Sequence, residues 1–149
     1  MMFEPRNILY FNPFYFKNGN PPKAKYLVVL KNDCNNVILA SLPTSKDHIP
    51  DYYKARDGCV EIPDANFNCF SIAPTTCVTE CNKSFQKRTY LYGQHIDTYN
   101  IDEMKNRYPI EGIDCKIWGK MKQCLFDDLI CCFRNSKSVK QKYKKLLQP

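Results

Sequence analysis

The chain has 149 residues, 44% hydrophobic and 25% charged, with 22 Lys+Arg against 15 Asp+Glu for a formal net charge of +7. This composition excludes wholesale disorder, and the length suits one domain with a core that needs neither metal nor disulfides to form. No apolar run approaches the ~20 residues of a membrane span, and the start, MMFEPRNILYFNPF, lacks a basic region followed by an apolar stretch, so the expected setting is the cytoplasm.

In chain order, the N-terminal stretch interleaves Tyr10, Phe11, Phe14, Tyr15 and Phe16 with Lys17 and Lys23. At least half of these aromatics are expected in the core. Lys23 and Lys25 fall on one face of an extended chain, because strand side chains alternate. The run Lys25 to Lys31 is continuous and β-branched, which predicts a strand buried on both faces. The turn formers of residues 32–36 join it to a second strand, Val37 to Leu42, and the pair reads as a hairpin. Pro43 stops the pairing, since it has no N–H to donate. Residues 44–57 read as a surface loop with a helical turn near Tyr52 and Tyr53. Shorter strands are expected at 58–62, 70–73 and 89–92, and their Gly, Pro and Asn punctuation suits a small barrel or a strongly bent sheet. From about Asp114 the period changes. Ile113, Ile117, Met121, Cys124 and Leu125 recur every three to four residues, and Leu129, Ile130 and Phe133 continue the stripe, which predicts helix and makes Trp118 structural. Asn135-Ser136 breaks the pattern. A last, basic helix over 140–147 follows, with Ser136 or Ser138 as the candidate cap.

The nine cysteines are an odd number, and without a secretory signal they predict free thiols packed as small hydrophobes. Cys77 and Cys81 have ligand-like spacing, but no second pair follows, and His48 and His95 lie in separate segments. No metal or other cofactor is therefore expected, with a cysteine-ligated zinc module as the weaker alternative. No glycine loop for phosphate and no close acid pair on a strand end is present.

Four segments could carry chemistry. Residues 43–48 place Thr44, Ser45, Lys46, Asp47 and His48 just past a buried strand, where hydroxyls and an ammonium can donate to phosphate and an imidazole can carry protons. A solvated loop after a strand stop is the plainer reading. Lys23 and Lys25 form the second, against a solubilising strand entry. The third is the aromatic and basic N-terminal half with Tyr52 and Tyr53, a mixture that suits single-stranded nucleic acid. The fourth is the basic last helix, whose plainer role is a solvated face.

The order of these pieces resembles the PemK/MazF family of toxin endoribonucleases. The stretches that carry it are Lys23-Ala-Lys25-Tyr-Leu-Val-Val-Leu30 and Val37-Ile-Leu-Ala-Ser-Leu-Pro43-Thr44-Ser45, with a looser match from Gly112 to Leu147. The resemblance implies an α+β, mainly β fold: an SH3-like barrel over about residues 1–110 with C-terminal helices over about 113–148, one domain in all, often a homodimer. It implies metal-independent cleavage of single-stranded RNA through a 2′,3′-cyclic phosphate, and restraint by a small antitoxin protein. Lys25 falls where the family has its arginine, and Thr44 and Ser45 where it has phosphate-contacting hydroxyls. His48 is the candidate proton carrier, and Lys23, Lys46, Tyr52 and Tyr53 are candidate RNA contacts. A lysine point charge stands in place of a bidentate guanidinium. No acidic residue occurs between Phe16 and Ala24. These two departures keep a second reading open: a non-catalytic barrel that holds single-stranded nucleic acid or an acidic peptide.

Overall fold

The computed structural model describes residues 2–42 and 57–148. It is α+β and mainly β. The order is β1 (Asn7–Phe14), β2 (Lys23–Asn32), β3 (Asn36–Leu42), β4 (Gly58–Ile62), β5 (Phe67–Ile72), β6 (Thr89–Tyr92), β7 (Ile96–Asn100), α1 (Ile101–Arg107), β8 (Cys115–Lys120), α2 (Gln123–Arg134) and α3 (Gln141–Leu146). The strands form two antiparallel sheets, one ordered β7-β3-β2-β1-β8 and one ordered β4-β5-β6. Among the described residues their pairing does not close into a ring.

The β2–β3 hairpin forms as the turn chemistry dictates. Asp33 Oδ1 accepts from the backbone N–H groups of Asn35 (3.0 Å) and Asn36 (2.6 Å), and Asn32 Oδ1 accepts from that of Cys34 (2.8 Å). The β2 run is covered on both sides. Val28 and Leu30 face a core shared with Phe70 and Leu91 of the small sheet and with Phe126, Leu129 and Phe133 of α2. Leu27 and Val29 face a second core with Leu9, Phe11, Phe14 and, from α1, Ile101 and Met104. Two-sided burial is what a strand without polar alternation requires.

Several elements differ from the sequence reading, among them β5, which runs over 67–72 where 70–73 was expected. Residues 7–14 are a strand that pairs with both β2 and β8, with a register shift between Phe11 and Phe14, where Asn12 and Pro13 interrupt the alternation. Residues 96–107 are a strand and a helix; Asn100 caps α1 by accepting from the Glu103 N–H at 3.0 Å. Residues 115–120, expected as helix, are the edge strand β8. The three-to-four spacing of Ile113 and Ile117 does not mark a buried face, since they are 69% and 40% exposed. Gly119 lies against Thr79, whose Cγ2 would be 2.6 Å from a Cβ placed there. The helix begins only at Gln123, and the last one is shorter than expected and starts after Lys140, with no side chain capping it.

The cysteines also differ. Cys59 of β4 and Cys132 of α2 form a disulfide across a sequence separation of 73. Seven others are free, with Cys69 and Cys115 buried and Cys34, Cys77, Cys81, Cys124 and Cys131 exposed.

Candidate nucleic-acid interface

Three adjacent strands bring aromatic side chains together at one end of the large sheet. Tyr10 of β1 is directly opposite Tyr26 of β2, and their ring centroids are 4.7 Å apart. Tyr26 meets the indole of Trp118 on β8 edge to face at 5.9 Å. Phe85 then stacks on Trp118 at 5.1 Å, the two planes only 7° apart. All four rings are half-buried.

Phe85 reaches the sheet because the loop before it is folded back on β8. The Glu80 N–H donates to the Lys120 carbonyl (2.9 Å), the Val78 N–H to the Lys83 carbonyl (2.8 Å), and the Lys83 N–H to Thr79 Oγ1 (2.9 Å). The same turn places the Lys83 ammonium 5.1 Å from the indole centroid, where it also donates to the Trp118 carbonyl at 2.7 Å. An ammonium over an indole is held by the ring's negative face. Lys116, exposed and opposite Tyr10 in the β1–β8 register, adds a second cation on the same side of the sheet.

Lys25 and Lys23 lie at the same end of the sheet, and strand alternation turns them to the other face from Tyr26. Lys25 is half-buried opposite Phe11, while Lys23 is exposed with its ammonium 6.0 Å from the Phe16 ring. Burial first, and the neighbouring Lys23 charge second, push the Lys25 pKa below its ordinary value. β3 ends at Leu42 opposite Tyr26, so its C-terminal end and the two lysines share one edge of the fold. The other expected site residues, Thr44, Ser45, Lys46, His48, Tyr52 and Tyr53, lie outside the described residues.

Of the N-terminal aromatics, Phe11 and Phe14 are core, Phe16 is half-buried and Tyr15 is 42% exposed. Sequence reasoning missed Trp118, Phe85, Lys83 and Lys116. The signal available for two of them was slight: Cys115-Lys-Ile-Trp-Gly carries a β-branched residue, an aromatic and a glycine, which suit a strand, but without clean alternation it did not outweigh the helical spacing around it.

Among the described residues, no group of three or more His, Cys, Asp or Glu side chains could hold a metal ion. No described helix is long and apolar enough to cross a membrane. The chain matches no family model and no curated protein. Fold and surface together define a mainly β protein of the α+β class with a basic, aromatic patch at one end of its principal sheet.

Proposed function

We propose that this chain binds single-stranded RNA on the ring row Tyr10, Tyr26, Trp118 and Phe85. The observation that carries the reading is that row itself, half-exposed and attended by Lys83 and Lys116. Bases extend such stacks, each contributing on the order of 1–3 kcal/mol, while lysines neutralise the phosphates between them. The formal charge of +7 favours the same partner. Trp118 is the only tryptophan, so its fluorescence reports directly on the site. Titration with a short single-stranded RNA quenches it, Lys83→Ala with Lys116→Glu weakens binding about tenfold at low salt, and the affinity falls as salt is raised. An unquenched indole together with no RNA binding overturns the reading.

A second reading adds cleavage. It takes the fold as a divergent SH3-like barrel of the PemK/MazF kind and the partner as a small antitoxin, with a homodimer as the working form. What favours it is Lys25, half-buried with a lowered pKa at the sheet end where β3 finishes. A lysine so placed can contact the scissile phosphate or move a proton near it. Thr44 and Ser45 would donate to the phosphate, and His48 would carry the second proton. Incubation with labelled RNA in EDTA should then yield a 2′,3′-cyclic phosphate, lost in Lys25→Ala and in Thr44→Ala. RNA bound and left intact confines the function to binding.

A further inference from the structure

On the opposite face of the large sheet from the ring row, residues 14–19 leave β1 and reach β7. There the Lys17 ammonium donates to Asp97 Oδ1 at 3.1 Å and to the Thr98 carbonyl. The Tyr15 N–H is anchored on the Tyr108 hydroxyl at 2.8 Å. Between this arm and α1 lies a cavity of about 690 Å³. That is within the ~300–1,000 Å³ range of small-molecule sites. Its apolar wall is made of rings that brace one another: Phe14 meets Phe16 at 5.3 Å and Tyr99 at 5.9 Å, and is nearly parallel to Tyr108 at 6.0 Å. Its polar side is supplied by α1, where Glu103 and Arg107 both line the cavity and are exposed. The Arg107 guanidinium lies against the Tyr15 ring at 5.8 Å. An adjoining hollow of about 580 Å³ continues past Arg107 along the same arm, so the cavity extends on the side of the cation.

We propose that this cavity is a guanine-nucleotide pocket, for a guanosine monophosphate unit that is free or part of an RNA strand. The binding energetics follow from the lining. Phe14 and Tyr108 are buried and back the wall, while the exposed Tyr15 ring and the half-buried Phe16 ring give a planar base aromatic surface to lie against. A carboxylate accepts hydrogen bonds only, so Glu103 selects a base edge made of donors, and guanine presents two adjacent ones, its ring N–H and its exocyclic amino group. Arg107 offers a planar fork of N–H donors that matches a phosphate. Because Lys17 is held by Asp97, it braces the arm that roofs the cavity. The pocket stands apart from the ring row and does not depend on it.

Isothermal titration of the full chain with guanosine monophosphate tests this. Saturable binding is expected, weakened about tenfold by Arg107→Ala and about tenfold by Glu103→Gln, as loss of a hydrogen bond to a charged group implies. Both residues are exposed on α1, so neither change threatens the core. Adenosine monophosphate should bind more weakly than the guanine nucleotide. Competition by a guanine-containing RNA assigns the unit to a strand, and its absence assigns it to the free nucleotide. No binding, binding indifferent to both variants, or equal affinity for the adenine nucleotide overturns the proposal. Since the Trp118 signal lies on the other face, RNA quenching that persists without nucleotide binding removes this pocket and leaves the RNA reading intact.

Discussion

At the scale of single residues, the thiols differ in chemistry because they differ in surroundings. The Thr79 hydroxyl lies 3.2 Å from the Cys81 sulfur, and that contact, helped by the Lys83 charge, holds the Cys81 thiol below its ordinary pKa. Burial does the reverse at Cys69 and Cys115, pushing both up to about 12. Thiolate is the reactive form. Under a limiting dose of iodoacetamide near neutral pH, Cys81 should therefore be the first thiol modified, and Cys69 and Cys115 should resist until the chain is unfolded. Peptide mass spectrometry reads the order directly, and early labelling of either buried cysteine would contradict the packing described. Lys25 makes a second residue-scale prediction. Its pKa is lowered in the fold, chiefly by burial, from 10.5 in the unfolded chain. Between those two values the unfolded chain holds the extra proton, so stability rises with pH across that window and Lys25 costs stability below it. Lys25→Gln should remove both the cost and this rise, so the wild-type denaturant midpoint should gain on the variant's as pH climbs toward 10.5. Parallel curves would mean that the charge is not desolvated. The same residue marks how far the candidate site was legible: position on a strand entry located Lys25, whereas Lys83, Phe85 and Trp118 meet only through tertiary folding and leave no common local pattern.

At the scale of elements, legibility follows burial. β2 and β3 could be read because both faces of each are covered, which forces continuous apolar runs, and because Asp33 and Asn32 write the turn between them. β4 and β6 begin and end where their composition says they should. β1 was obscure for the opposite reason: Asn12 and Pro13 break its alternation at the point where its register with β2 shifts. β8 imitated a helix. As an edge strand it leaves Ile117 and Lys116 in solvent, so no clean two-residue alternation forms, and the spacing of Ile113, Ile117 and Met121 matched a helical period by coincidence. What decided the issue is not local. Backbone pairing of β8 with β1, and the close approach of Thr79 to Gly119, hold the segment extended against its apparent period. That one difference moved Trp118 from a helix face onto the strand where it meets Tyr26 and Phe85.

At the scale of the whole molecule, the small sheet and the C-terminal helices are fastened together by groups distant in sequence. An odd cysteine count excludes complete pairing, yet it permits one bridge, and the fold juxtaposes Cys59 with Cys132. Beside them, Glu61 accepts from the Ser136 hydroxyl and from the Lys137 N–H, both at 2.7 Å, so β4 grips the end of α2 through two kinds of bond. The covalent one acts largely on the unfolded chain, where closing a loop with a separation of 73 removes many conformations. Reduction should therefore cost about 2–4 kcal/mol of stability while leaving the native arrangement recognisable, because the Glu61 contacts and the apolar core remain. Cys59→Ser should lower the guanidinium midpoint by an amount that reductant reproduces in the wild-type chain, and reductant should then do nothing more to the variant. A wild-type midpoint indifferent to reductant would deny that the bridge forms in solution. If the shift is found, it sets the chain's stability by its redox surroundings: a cytosol that keeps thiols reduced holds the weaker form, and an oxidising compartment holds the stronger one.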